Sequence, residues 1–282
     1  FTAAAYKINY ITSATSTQST ANLSQSRYDL TGCSGEGTKG YFAGGSTGAN
    51  VITADKTTYS NDATAAQTTA NLSQARYGPA GISEGVTKGY FAGGYSSTYV
   101  TTAEKITYSN DTTAAQTTAN LSQARVYLAG LNGEGTKGYF NGGSSTNYTS
   151  RTDKIIYSSD TTASQTTANL TQARYGAGGI SEGTIKGYLA GGTTNGANGV
   201  ATADKLTYST DITTAQTTAN LSQARFQLAG IGQEFSSVFT NNSINSGNIA
   251  SGQIGFYHIA GGILLTSGRA QSGNFGDNAV TS

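Results

Sequence analysis

The clearest polar and apolar pattern in this chain has a period of two. In Glu104-Lys105-Ile106-Thr107-Tyr108 successive side chains alternate between two faces, as on a half-buried β-strand. Helix-period apolar patterning is hard to find anywhere. Around that strand the sequence predicts three more extended pieces. Tyr77-Gly78-Pro79-Ala80-Gly81-Ile82 leads to a Ser83-Glu84-Gly85 turn, and Lys88-Gly89-Tyr90-Phe91-Ala92 stops at Gly93-Gly94. After a variable loop and the 104–108 strand, Ser109-Asn110-Asp111 turns the chain. Ala115 to Leu121 then runs back to Arg125.

The unit repeats. The string TANLSQAR, with small changes, ends at Arg27, Arg76, Arg125, Arg174 and Arg225, at spacings of 49, 49, 49 and 51 residues. KGYFAGG or a near copy spans Lys39–Gly45, Lys88–Gly94, Lys137–Gly143 and Lys186–Gly192. DKxxYSxD starts at Asp55, Glu104, Asp153 and Asp204, with a weak first copy at Lys7-Ile8-Asn9-Tyr10. Four strands in about 49 residues is the size of one β-propeller blade. The order of an Arg start, an aromatic-plus-Gly-Gly second strand (Tyr90 to Gly94) and a third-strand Tyr (Tyr108) resembles the kelch family, over residues 1 to about 242. Kelch blades usually carry a Trp in the fourth strand. This chain has no Trp, and Gln116 or a neighbouring Thr stands there. The repeats are therefore kelch-like.

The phase of the repeats predicts a closed ring. The chain opens at a third strand (Tyr6–Tyr10), runs through four whole units, and ends with a first strand (Phe226–Ile231) and a degraded second one (Phe235–Thr240). A blade shared between the two termini makes five and removes the sheet edges. The expected fold is thus an all-β, five-bladed kelch-like propeller closed by N- and C-terminal strands, with an open β-solenoid as the alternative. The small residues Thr31-Gly32, Ala80-Gly81, Ala129-Gly130, Gly178-Gly179 and Ala229-Gly230 suit a narrow channel.

Composition narrows the partners. Charged residues are 11% of the chain, with 16 Lys+Arg against 15 Asp+Glu. That balance gives no electrostatic footprint for nucleic acid or an anionic membrane. The longest nearly apolar run, Gly255 to Leu265, is too short to span a bilayer, so no membrane insertion is expected. The chain begins at Phe1 and holds no Met, which suggests residues upstream of it. Residues 243–282 differ in kind from the repeats. Ser246-Gly247-Asn248-Ile249-Ala250 is followed at once by Ser251-Gly252-Gln253-Ile254-Gly255, with looser echoes further on. One apolar side chain per five residues cannot build a private core. The segment resembles Ser-Gly-x-Ile runs in tail-fibre and other virion proteins of tailed bacteriophages; a Gly/Ser linker is the other reading. The resemblance implies attachment to other virion proteins or to copies of itself.

Catalytic chemistry finds little footing. The one histidine is His258 and the one cysteine is Cys33, in different segments. No cofactor, metal site or catalytic residue is expected. The carboxylates recur once per unit, Asp62, Asp111, Asp160 and Asp211 among them, and read as turn residues, with the Lys and Arg series pairing to carboxylates or to neighbouring carbonyls. Asn22, Asn71, Asn120, Asn169 and Asn220 fit the N-glycosylation pattern, and duplication accounts for their number. The loops after Gly-Gly, at 46–51, 95–100, 144–150 and 193–200, differ between units although the strands barely do. Their Tyr95, Tyr99, Asn147, Tyr148 and Asn195 form the candidate ligand-binding set, mixing aromatic area with amide hydrogen bonding. Together these readings predict a non-enzymatic structural or receptor-binding protein of a phage virion, recognising a host-surface glycan or protein. A secreted bacterial surface adhesin or filament subunit is the alternative.

Overall fold

The computed structural model describes residues 2–9, 12–35, 37–133 and 135–230; the segment 243–282 lies outside them. It is all-β with a propeller-like arrangement. A hairpin, β1 (Tyr6–Asn9) and β2 (Ala14–Thr17), precedes four antiparallel four-stranded sheets. Blade 1 is β3 (Thr31–Gly35), β4 (Lys39–Ala43), β5 (Ala54–Thr58) and β6 (Ala63–Ala66). Blade 2 is β7 (Ala80–Ser83), β8 (Lys88–Ala92), β9 (Ala103–Thr107) and β10 (Thr112–Ala115). Blade 3 is β11 (Ala129–Gly133), β12 (Lys137–Asn141), β13 (Thr152–Ile156) and β14 (Thr161–Ser164). Blade 4 is β15 (Gly178–Glu182), β16 (Lys186–Ala190), β17 (Ala203–Thr207) and β18 (Ile212–Ala215). The fourth strand lies earlier than expected: in blade 2 it is Thr112–Ala115, and within the expected 115–121 stretch Thr117–Ala119 forms a 3-10 turn. The Asn of each Asn-Leu-Ser/Thr string holds that return. Asn71, Asn120, Asn169 and Asn220 accept the backbone N–H of Ala54, Ala103, Thr152 and Ala203 at 2.8–2.9 Å.

The first strands crowd together at the centre, which explains their glycines. A Cβ on Gly130 would stand 2.4 Å from the Gly81 carbonyl oxygen, so no larger residue fits without moving a neighbouring backbone. Gly81 against Gly32, Gly179 against Gly130 and Gly230 against Gly179 repeat the contact at 2.3, 2.6 and 2.1 Å. Further out, tyrosines stack across the seams: Tyr41 on Tyr108, Tyr90 on Tyr157 and Tyr139 on Tyr208, with centroids 5.6–5.8 Å apart.

Two charged devices recur. Within a blade, the Arg that ends the TANLSQAR string before it, at Arg27, Arg76, Arg125 and Arg174, is fully buried against a third-strand carboxylate. Arg27–Asp55, Arg125–Asp153 and Arg174–Asp204 close to 2.5–2.6 Å, whereas Arg76–Glu104 is 3.4 Å. Glu104 also accepts the Ser73 N–H at 3.0 Å and its hydroxyl at 2.7 Å, as Asp153 does from Ser122 and Asp204 from Thr171. Between blades, an aspartate in the turn after the third strand accepts donors from the preceding blade. Asp111 Oδ1 takes the Tyr41 hydroxyl at 2.5 Å and Lys39 at 3.3 Å, while Oδ2 takes Lys56 at 2.6 Å. Asp160 receives Tyr90, Lys88 and Lys105, and Asp211 receives Tyr139, Lys137 and Lys154. These aspartates keep the expected turn role, at φ 53–56°, and hold the seams as well.

The described residues contain four complete blades rather than the expected five. Of the fifth, the described residues contain the hairpin, exposed along both strands, and the 226–230 segment, which forms no strand; residues 231–240 lie outside the description. The repeat fails at the positions that pack the other blades. Tyr6 stands in register with Asp55, and Ser13 with Asp62, so both carboxylates are lost. Arg225 is accordingly exposed. Val238 replaces a glycine whose counterpart, Gly138, would put a Cβ 2.4 Å from the Tyr157 hydroxyl.

Candidate binding face

Each loop after Gly-Gly is pinned by isolated bridges to the residue following the buried Arg. Tyr28 pairs Ser46, Tyr77 pairs Tyr95, Val126 pairs Ser144, and Tyr175 pairs Thr193. This ties the variable loops to the segments entering the first strands, and so to the centre. There a cavity of about 370 Å³ is lined by all five first-strand leaders, from Asp29 to Gln227. The five residues Asp29, Gly78, Tyr127, Gly176 and Gln227 all have positive φ, between 54 and 65°. Each of the last four donates its N–H to the carbonyl of the one before, at 2.7–3.0 Å. Tyr127 is the unusual member, since a bulky residue in the left-handed region costs on the order of 1 kcal/mol. Its hydroxyl donates to Asp29 Oδ2 at 2.8 Å, between segments two repeats apart.

Tyrosines form a continuous arc over this face. Tyr99 meets Tyr95 edge-on at 5.3 Å, Tyr95 meets Tyr77 at 5.4 Å, and Tyr77 meets Tyr127 at 5.8 Å. Tyr127 then meets Tyr175 at 5.6 Å, and Tyr175 meets Tyr148 at 5.0 Å. Burial raises the Tyr127 phenol well above the ordinary tyrosine range, with the Asp29 hydrogen bond acting in the same direction. Burial also raises Tyr77, aided by Tyr95 and Asp29, and Tyr175, aided by Tyr148. Tyr77, Tyr127 and Tyr175 therefore remain neutral phenols, and every member of the arc is a flat apolar ring that carries a hydroxyl.

Of the five residues expected to bind, the structure brings Tyr95, Tyr99 and Tyr148 into this arc. Asn147 is exposed at the tip of its loop. Asn195 is engaged locally: its Oδ1 accepts the N–H groups of Ala197 and Asn198 at 3.0 and 2.9 Å. Sequence reasoning passed over Tyr77, Tyr127, Tyr175 and Asp29. A signal was available in the aromatic that follows most TANLSQAR strings, at Tyr28, Tyr77, Tyr175 and Phe226. His258 lies outside the described residues. Cys33 is buried, and burial pushes its thiol up to about 12, so little nucleophilic thiolate forms at neutral pH. Among the described residues no group of His, Cys, Asp or Glu could hold a metal ion, and no helix is long and apolar enough to cross a membrane.

Fold and face together define an all-β tandem-repeat protein of propeller-like architecture, with a phenol-rich loop face around its central cavity. The chain matches no protein-family model and no curated protein. Among solved structures it is similar to that of YjhT, with a TM-score of 0.59 and 12% identity, covering 72% of this chain and 68% of that one. At that identity the likeness carries the fold alone.

Proposed function

We propose that this chain is a non-enzymatic recognition component of a tailed-phage virion, which presents its loop face to a host-surface glycan or protein. The observation that carries the recognition reading is the tyrosine arc from Tyr99 to Tyr148. A row of phenol rings suits a sugar, whose apolar ring faces pack on aromatics while its hydroxyls seek hydrogen bonds. The virion assignment rests on the Ser-Gly-x-Ile pattern of residues 243–282, which would join the propeller to other virion proteins or to copies of itself. A kelch-like ring of five positions completes the reading. The chain of N–H to carbonyl bonds from Asp29 to Gln227 already steps through five leaders, and Gly230 stands to Gly179 as Gly179 stands to Gly130. Hairpin β1–β2 would supply the two outer strands of the fifth position. The test is a glycan array probed with the full chain and with a Tyr99→Ala/Tyr148→Ala variant. The expected result is binding to a defined glycan that the variant loses. A chain that ignores every glycan and also fails to attach to host cells would overturn the reading.

A further inference from the structure

Each third strand carries one lysine, at Lys7, Lys56, Lys105, Lys154 and Lys205. The first four meet an aspartate of the next unit, Asp62, Asp111, Asp160 and Asp211, at 2.6–2.7 Å. Lys205 has no such partner among the described residues, because its counterpart in register is Ser13. Ser13 keeps the left-handed turn, at φ 55°, and lacks the carboxylate. The other two donors of the group are also displaced from their usual role. Tyr188 is half-buried, whereas Tyr41, Tyr90 and Tyr139 are fully buried. Lys186 turns to Glu182 at 2.9 Å, an exposed pair of the kind worth little in water. Beside them Ile180 is 44% exposed, although Ile82 and Leu131, its counterparts, are each 1% exposed.

We propose that Lys186, Tyr188 and Lys205 form a binding site for a carboxylate that the repeats do not supply. The fit is read from the equivalent groups in the other blades. In those on Asp111 and Asp211, one carboxylate oxygen takes the tyrosine hydroxyl and the second-strand lysine, and the other takes the third-strand lysine. Two ammonium groups and a phenol placed in this way match the two oxygens of a carboxylate by charge-assisted hydrogen bonds. The group could arrive as a small free carboxylate or on a uronic acid. The site does not depend on the loop face. Only the place of Ser13 rests on the five-position ring.

The experiment titrates the full chain with acetate, glucuronate and glucose at constant ionic strength, observed by NMR shifts. Saturable binding of acetate or glucuronate, and none of glucose, is expected. Tighter binding of glucuronate than of acetate would mark the ligand as an acidic sugar, and equal binding a small free carboxylate. Either result supports the site if Lys205→Ala weakens binding about tenfold, the expected loss of one charge-assisted contact. Should Lys205→Ala fail to fold, Tyr188→Phe serves, with a smaller loss expected. No saturable binding of either acid up to about 100 mM, or binding indifferent to these variants, overturns the proposal. Ser13→Asp separates the site from ring closure. If it blocks acetate, the hairpin lies at this seam. If acetate still binds in a Lys205-dependent way, the site stands and the five-position ring falls.

Discussion

Replacing Asp160 with Asn is the sharpest probe of how the blades are held together. The change keeps the size of the side chain, and Asn tolerates the left-handed φ of 53°. The Thr118 hydroxyl, at 2.7 Å, donates to the Asp160 backbone carbonyl and is untouched. What disappears is the charge that accepts Tyr90, Lys88 at 2.7 Å and Lys105 at 2.6 Å. Although burial alone would raise the Asp160 carboxyl, the hydrogen bonds from Lys105, Lys88 and Tyr90 outweigh it and bring its pKa from 3.8 down to about 2. Each tenfold change in proton affinity is worth about 1.4 kcal/mol, so the charged form is stabilised by about 2 kcal/mol on folding. A folded-state value below the unfolded one means the stabilisation is complete above the ordinary carboxylate range and fades as pH falls towards 2. The variant should melt about 4–8 °C below the wild type at pH 7. By pH 3 the gap should shrink to about half. Thermal unfolding followed by circular dichroism at pH 7, 5 and 3 makes the comparison. Equal melting at pH 7, or a gap that persists unchanged at pH 3, would refute the reasoning.

Three further outcomes follow from the packing. Arg125→Ala leaves Asp153 buried without its partner and should cost about 3–5 kcal/mol in urea unfolding; a loss below about 1 kcal/mol would mean that water reaches the pair. Gly130→Ala drives a methyl against the Gly81 carbonyl and should destabilise by about 1–3 kcal/mol, and an unchanged urea midpoint would show that the first strands can move apart. Deleting residues 1–26 removes the hairpin tied to blade 1 through Lys7 and Asp62 and the outer half of the proposed fifth blade, so it should lower thermal stability sharply. A deletion that melts like the full chain would end the closure argument.

Much of this molecule could be read from its repeat. The second and third strands, the turn aspartates and the first-strand glycines were legible because each recurs with a fixed spacing, and packing demands the same answer in every blade. The phase of the chain ends and the small residues of the inner strands predict five blades, and neither signal reports whether the outer positions can pack. Arg225 preserves the pattern, but Tyr6, Ser13 and Val238 have lost the carboxylates and the glycine that let a blade pack. The fourth strand reads as lying later in the sequence than it does, because an extended Thr-Thr-Ala and a 3-10 Thr-Thr-Ala look alike until the Asn120 side chain is seen to fasten the return. For the binding face, variation between loops pointed to Tyr95, Tyr99 and Tyr148. It could not point to Tyr77, Tyr127 or Tyr175, which lie at the constant entry to the first strands. Their membership of the arc is a matter of tertiary proximity, closed by a Tyr127–Asp29 bond spanning 98 residues of sequence.

The central claim is that the tyrosine face makes first contact with the host. Attachment to host cells of wild type and of Tyr95→Ala/Tyr99→Ala/Tyr148→Ala, at matched concentration, tests it most directly. Melting curves run in parallel keep folding in view, since Tyr95 and Tyr148 also pack on Tyr77 and Tyr175, at about 1 kcal/mol for each ring pair. The account predicts a still-folded variant whose attachment falls at least tenfold, as loss of anchor residues worth about 1 kcal/mol or more each requires. Attachment equal to wild type would contradict it.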